Sequence, residues 1–268
     1  QNSVVLNAAV GNSYLAGGLF EDTLAAHVAG SSLIGGKGND NLVGDLGNDS
    51  YLIRMGDDHD FITEKGGVNT IKFGEGINST QLISRRNGAD LLITVSATQT
   101  VMVKNMFDAT TGALNTTHSI QQINFFDNST WDLATIQQKA LIGTDGRDTI
   151  GGFDIAETIN AGKGDDQLNG GACDDVYQYA LGDGNDVITD VVGNDRLELT
   201  SGILPTQVTA IRDGNNNLVL KFSDGGKISI AGAFDASGNF TASAIETIKF
   251  SDNSSWDSLR IKEEVLKE

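Results

Sequence analysis

The stretch LIGGKGNDNLVGDLGNDSYL, Leu33 to Leu52, holds two nine-residue units back to back: Gly35 to Val43 (GGKGNDNLV) and Gly44 to Leu52 (GDLGNDSYL). Each runs from a glycine-rich turn through an acidic residue to one large apolar residue. The pattern GGxGxDxUx, with U apolar, asks the backbone to reverse over six residues and extend for three. Such a turn takes positive φ at several positions, which glycine adopts without steric cost. The sixth position, Asp40 and Asp49, sets a carboxylate at the end of the turn, and the eighth, Leu42 and Tyr51, points into a core. Two units make one coil, so successive turns stack in two columns, one on each side.

The rhythm extends beyond this stretch. Apolar residues recur every nine positions at Leu24, Leu33, Leu42 and Tyr51, and again at Ile150, Ile159, Leu168 and Tyr177. These are read as a stacked core seam with no chemistry of their own. The two series belong to an internal duplication with an offset of about 126 residues, in which Gly36 to Leu42 matches Gly162 to Leu168. The match continues past the glycine-rich part: Asp60-Phe61-Ile62-Thr63 pairs with Asp186-Val187-Ile188-Thr189, and Thr130-Trp131-Asp132 with Ser255-Trp256-Asp257. After Tyr51 and Tyr177 the rhythm slips by two residues, into Gly56-Asp57-Asp58-His59-Asp60 and Gly182-Asp183-Gly184-Asn185-Asp186.

Longer strands are expected downstream, at residues 70–73, 81–86, 91–95, 101–106 and 120–125, with Asn87-Gly88 as a tight hairpin turn and Asp213-Gly214 as its counterpart. The segment Trp131 to Lys139 reads as a short helix capped by Asp132, and Trp256-Asp257 opens the same element again. The expected fold is all-β: two tandem parallel β-roll (β-solenoid) modules, each followed by a β-rich capping region with hairpins and a short linking helix. Its divisions are 1–14, the end of a preceding unit or a leader; 15–140, the first roll with its cap; and 141–268, the second. A cap is expected because an open roll end would otherwise pair with other chains.

Composition narrows the function. There are 36 acidic against 18 basic residues, a net charge of -18, which excludes nucleic acid as a partner and points to cations. One cysteine, Cys173, excludes an internal disulfide framework, so another cross-link has to hold a secreted chain together. No apolar run is long enough for a transmembrane helix, and, with no initiator Met, the chain is expected to be a fragment or a processed piece of something longer. His27, His59 and His118 lie in unrelated contexts, with no HExxH and no GxSxG, and the chain is read as not an enzyme. His59 aligns with Asn185, an ordinary turn residue, and Cys173 is read as a small buried residue.

Each column of turns presents carboxylates and turn carbonyls, and six to eight hard oxygens of this kind suit Ca²⁺. On these residues the segment resembles the RTX, or haemolysin-type calcium-binding, repeat of secreted bacterial proteins, and the segments after each roll resemble the haemolysin-type calcium-binding-related domain. The resemblance implies several Ca²⁺ ions held between turns two units apart. Carried over by position, one column of the first copy stacks Asp22, Asp40 and then Asp58 or Asp60, with the carbonyls of Gly36 and Gly38; the other offers Asp49. In the second copy one column has Asp148, Asp166 and Asp186, with Asp183, Gly162 and Gly164, and the other has Asp175. Fifth-position Asn39, Asn48, Asp165 and Asp174 add side-chain or water-mediated contacts.

Departures from the pattern weaken particular sites. Phe20 and Ile155 stand where the fourth glycine belongs, Ser31 and Glu157 replace sixth-position Asp, and Cys173 replaces Gly. Full occupancy is expected near Asp40 and Asp166, and weak or absent sites beside Ser31 and Ile155. The resemblance further implies a secreted or cell-surface location, export by type I secretion, and a calcium-driven folding role within a large toxin or adhesin, with neighbouring repeats as partners. It leaves open a glycan- or surface-binding adhesin segment, and the C-terminal part of an RTX enzyme whose catalytic domain lies outside this chain.

Overall fold

The computed structural model describes residues 2–108 and 113–267. The chain divides into two compact units, 1–140 and 141–268. Strands make up 40% of the residues against 7% in helices, so the class is all-β.

Unit 1 opens with eight short strands: β1 (Val5–Asn7), β2 (Ser13–Ala16), β3 (Thr23–Ala25), β4 (Ser31–Ile34), β5 (Asn41–Val43), β6 (Ser50–Ile53), β7 (His59–Thr63) and β8 (Thr70–Phe73). The odd-numbered strands stack as one parallel sheet and the even-numbered as another. A three-residue strand buries a single side chain, so no coil is stable by itself and each depends on its neighbours. The first fourteen residues supply β1 and the start of β2, which head the two sheets: Val5 pairs with Thr23, and Ser13 with Ser31.

The register carries the nine-residue rhythm directly. Leu24 pairs with Leu42 and Leu33 with Tyr51, two nonapeptides apart; the next step is longer, with Leu42 opposite Ile62 and Tyr51 opposite Ile71. The two-residue slip therefore lengthens one turn and leaves the seam intact. Leu24, Leu33, Leu42, Tyr51, Ile62 and Ile71 are all fully buried.

The second half of the unit ends both sheets by switching from parallel to antiparallel pairing. Strands β9 (Ile83–Asn87), β10 (Asp90–Ser96) and β11 (Gln99–Lys104) follow, then β12 (Gln122–Asn124) and β13 (Thr130–Asp132). Strand β11 lies parallel to β7, as a further coil would, but β10 and β9 fold back antiparallel on it. In the same way β12 lies parallel to β8, and β13 turns back against β12. The β9–β10 turn places Gly88 at φ +63°. Helix α1 (Leu133–Lys139) follows at once, and the Asp132 carboxylate accepts the Thr135 amide at 2.8 Å as its N-cap. Trp131 is buried edge-on against Phe125, with ring centroids 5.1 Å apart, so it anchors the helix start.

Unit 2 repeats the plan with one coil fewer. Its roll is β14 (Thr149–Gly151), β15 (Thr158–Asn160), β16 (Gln167–Asn169), β17 (Val176–Tyr179), β18 (Asn185–Ile188) and β19 (Arg196–Leu199). The cap is β20 (Val208–Arg212), β21 (Leu218–Phe222), β22 (Lys227–Ile230), β23 (Thr247–Lys249) and β24 (Ser255–Asp257), then helix α2 (Ser258–Val265), capped by Asp257. The two sheets run β14-β16-β18-β22-β21-β20 and β15-β17-β19-β23-β24. One turn differs from expectation. The positive φ in the β20–β21 loop falls on Asn216 and not on Gly214, because the Asp213 carboxylate accepts the amides of Asn215 and Asn217 and sets up a longer loop. Among the described residues no helix is long and apolar enough to cross a membrane.

Leu42 sits at the centre of the seam, and Leu42→Ala should lower the unfolding free energy of the calcium-loaded protein by about 3 kcal/mol. Leu46, at the tip of a turn and 64% exposed, is the control: Leu46→Ala should shift stability by less than about 0.5 kcal/mol. Denaturant titration of the two variants measures both.

Candidate calcium-binding turns

The geometry of the turns follows from their glycines. In GGKGND, Gly36 and Gly38 sit at φ +95° and +109°. A Cβ on Gly36 would come within 2.4 Å of the Gly18 carbonyl oxygen, and one on Gly38 within 2.6 Å of the Phe20 carbonyl carbon. Stacked turns thus touch backbone to backbone, which only glycine permits here. Gly162 and Gly164 repeat the arrangement at φ +78° and +137°.

Close stacking brings each sixth-position carboxylate under the turn above it. Asp22 accepts the Val4 amide through Oδ1 at 2.7 Å, Asp40 accepts the Asp22 amide at 2.7 Å, and Asp60 accepts the Asp40 amide at 3.1 Å. The second column runs from the Ser31 amide to Asp49 (2.6 Å) and from the Asp49 amide to Asn69 (2.9 Å). In unit 2 one ladder joins Asp148, Asp166 and Asp186 at 2.7 and 3.0 Å. The other joins Glu157, Asp175 and Asp195 at 2.9 and 2.8 Å.

One oxygen of each acid is therefore committed to the stack. The second oxygen decides what the site can do. In Asp22 it accepts the Gly18 amide, in Asp49 the Asp45 amide, and in Asp148 the amide and hydroxyl of Thr144. In Asp40, Asp166, Asp175 and Asp195 it is buried with no hydrogen-bond partner. A buried, unpaired carboxylate oxygen is costly unless a cation meets it, and an all-oxygen donor set fits a hard ion such as Ca²⁺.

Burial and crowding act on the protonation of these acids. Burial above all, with Asp22, Asp57 and Asp58 close by, pushes the Asp40 carboxyl up to about 6. Asp60 rises to about 8, and Asp175, Asp186 and Asp195 to about 7, each chiefly through burial and further through neighbouring carboxylates. The ladder bonds from backbone amides oppose these shifts and do not cancel them.

Of the Asp58 and Asp60 alternatives, Asp60 takes the ladder position. Asp58, at φ +64°, accepts the Gly38 amide at 3.1 Å. Asp183 accepts the Ala180 amide at 2.7 Å, as its equivalent Asp57 accepts that of Arg54. The fifth-position side chains form a separate outer ladder. Asn39 accepts the His59 amide, Asn48 that of Val68, Asp165 that of Asn185 and Asp174 that of Asn194, at 2.8 to 3.2 Å. His59 itself meets the Thr100 hydroxyl at 3.0 Å. Cys173, expected to be buried, is exposed, and holds φ +80° in the glycine slot it occupies.

Residues that pattern reading missed, Asp190 and Asp195 in unit 2 with Glu64 and Asn69 in unit 1, complete the second column that Asp175 and Asp49 belong to. Asp175, Asp190 and Asp195 are buried, and each offers a ligand atom within 4.8 Å of the others. Their unit 1 counterparts are Asp49, Glu64 and Asn69. The Tyr51 hydroxyl donates to Glu64, and that of Tyr177 to Asp190, both at 2.5 Å. The twenty-residue step after the slip, counted from Asp175, would have reached Asp195; nothing in the nonapeptide consensus points to an acid in the first-glycine slot.

Two family models match the chain. The RTX calcium-binding nonapeptide repeat (4 copies) matches residues 16–51 and 151–183, and the haemolysin-type calcium binding protein related domain matches residues 90–135 and 217–258. Among solved structures the chain is similar to the extracellular lipase LipA from Serratia marcescens, at 16% identity and a TM-score of 0.30, over 84% of this chain and 40% of that one. The chain thus spans less than half the length of the lipase. A comparison with curated proteins gives no match.

The raised carboxyls set the sign of a pH effect. The folded state of the metal-free protein holds protons that the unfolded state has released, so these groups contribute stability that is present at acid pH and lost as pH rises through about 6 to 8. Metal-stripped protein should show a melting transition near pH 5 whose midpoint falls as pH rises and which is lost by pH 8, and saturating calcium should flatten or reverse that slope. Differential scanning calorimetry across the range tests it.

Proposed function

The chain belongs to the RTX family of haemolysin-type calcium-binding repeat proteins, whose nonapeptide repeats bind Ca²⁺, and we propose that in this chain the ions drive folding. In this reading it is a structural module of a larger, type I-secreted bacterial protein, a toxin or an adhesin, that folds on reaching extracellular calcium. The observation that carries the reading is the set of buried, unpaired oxygens on Asp40, Asp166 and Asp175. Every coil added to the roll buries further carboxylate, in a chain of net charge -18. At low calcium that charge has no counter-ion and the extended, export-competent chain is favoured. Millimolar calcium outside the cell supplies the counter-ion, and binding energy becomes folding energy.

Weak sites suffice for such a switch. Extracellular calcium modules bind with Kd of about 10⁻⁴ to 10⁻³ M, and each tenfold excess of ion over Kd adds about 1.4 kcal/mol per site. Several sites acting together exceed the few kcal/mol that separate folded from unfolded chains. The seam of Leu24, Leu33, Leu42 and Tyr51 then closes only after the turns on both sides are neutralised, which makes the transition cooperative.

A far-ultraviolet circular dichroism titration tests the proposal. At pH 8, where the buried carboxyls have to ionise, metal-stripped chain should show an unfolded spectrum and gain β signal in one cooperative step at about 10⁻⁴ to 10⁻³ M calcium. A β spectrum that is the same in chelator and in millimolar calcium would overturn it.

A further inference from the structure

Two asparagines in the chain are followed by glycine, in Asn87-Gly88 and Asn169-Gly170. That dipeptide carries a reaction of its own. The backbone nitrogen of the glycine can attack the asparagine Cγ and close a five-membered imide, because glycine has no side chain to hinder the approach and its backbone turns freely. The fold puts the two dipeptides in opposite settings. Asn87-Gly88 stands at the β9–β10 turn of the unit 1 cap, with both residues exposed. Asn169-Gly170 stands at the end of β16, inside the unit 2 roll.

At the β9–β10 turn nothing obstructs ring closure. Asn87 pairs with Asp90 as the last rung of the hairpin, so Gly88 lies outside the ladder. Among the described residues the Gly88 amide donates no hydrogen bond, and the Asn87 carboxamide has no partner that would hold it. A Cβ built on Gly88 would meet no atom within 4 Å, so the ring has room. The Arg86 guanidinium donates through Nε to the Gly88 carbonyl at 2.8 Å. Its positive charge favours the amide anion that attacks. In β16 the same dipeptide is locked. Gly170 is buried, its amide donates to the Tyr177 hydroxyl at 2.6 Å, and a Cβ there would come within 2.2 Å of the Asp175 carboxylate. The Asn169 carbonyl accepts the Gly152 amide at 2.7 Å, its Oδ1 is buried, and strands β14 and β18 hold β16 from both sides.

We propose that Asn87 is a self-modifying site, which loses ammonia to the Gly88 amide and reopens with water to aspartate and isoaspartate, whereas Asn169 is kept intact by the roll. The bond from the Gly88 nitrogen to Asn87 Cγ forms, the Cγ–Nδ2 bond breaks, and ammonia leaves. Water then cleaves the imide at either carbonyl, and no oxidant, reductant or enzyme takes part. One product is ordinary aspartate, the residue unit 2 already carries at the matching place in Asp213-Gly214. The other, isoaspartate, adds a methylene to the backbone at the end of β9, the outermost strand of its sheet. Both add a negative charge next to Arg86. The site lies in the cap and stands apart from the calcium-binding turns.

The test holds the full 268-residue chain at pH 8 with saturating calcium in oxygen-18 water, then digests it with trypsin in ordinary water for mass spectrometry. Cleavage after Arg86 and Lys104 isolates Asn87 in one peptide, and cleavage after Lys163 and Arg196 isolates Asn169 in another. Each event in the intact protein fixes one oxygen-18 atom in the new carboxyl group, which separates it from any that occurs during digestion. The Asn87 peptide should gain label steadily, as two chromatographically distinct forms with isoaspartate the larger, while Asn169 stays unlabelled. Gly88→Ala, whose methyl crowds the attacking nitrogen, should slow labelling by about tenfold, a rise of about 1.4 kcal/mol in the barrier. Asn87→Gln, with a longer side chain that closes a ring less readily, should abolish the label in that peptide. No label at Asn87, the same rate at Asn87 and Asn169, or a rate unchanged by Gly88→Ala overturns the proposal.

Discussion

Each sixth-position aspartate has two oxygens, and the structure uses them differently. One accepts the amide of the turn stacked above it, as Asp40 accepts Asp22 and Asp166 accepts Asp148. That bond fixes the spacing of the coils and is made within the protein. The other oxygen, in Asp40, Asp166, Asp175 and Asp195, is buried and unpaired. The same residue therefore aligns the roll and charges it. Folding without a counter-ion confines like charges in a region water has left, which is why burial lifts these carboxyls well above their ordinary range.

The core and the turns are coupled through this arrangement. Short strands bury one side chain per pass, and the seam from Leu24 to Ile71 forms only when coils are stacked in register. Stacking in register is also what sets the carboxylates over one another. Hydrophobic gain and electrostatic cost thus rise together with every coil, and an ion that relieves the cost releases the gain. The backbone contacts at Gly36 and Gly38 leave no slack for the turns to separate and dilute the charge.

The caps answer a different need. A roll ends in open strands, and each unit terminates both sheets by folding strands back antiparallel, β10 with β9 and, in the other sheet, β13 in unit 1, and β21 with β20 and, in the other sheet, β24 in unit 2. Each cap also ends a ladder by offering an oxygen to the last turn, from Gln121 in unit 1 and Glu246 in unit 2. Two copies of one plan differ here in charge, with amide side chains (Asn69, Gln121) closing the ladder in unit 1 and carboxylates (Asp195, Glu246) closing it in unit 2. Duplication supplies the comparison: the backbone bonds are the same, and only the charge differs.

Much of this was legible in the residues. The nine-residue spacing of Leu24, Leu33, Leu42 and Tyr51 determined the roll, because a period that long with one apolar residue per unit suits a stacked coil and neither an isolated helix nor a flat sheet. The duplication, the slip after Tyr51, the capped helices at Asp132 and Asp257, and the aspartates of the turns were likewise readable, since each rests on local geometry. What tertiary structure alone decided was pairing at a distance. That β11 rejoins β7, that Gln121 and Glu246 close ladders whose last rungs lie some fifty residues earlier, and that Asp190 and Asp195 meet Asp175 all depend on which coil lies over which. Register across the stack sets those contacts, and the sequence of any one turn carries no record of its neighbour. The opening stretch, Leu33 to Leu52, names its own carboxylates, but only the stack above and below shows which of their oxygens are left for an ion.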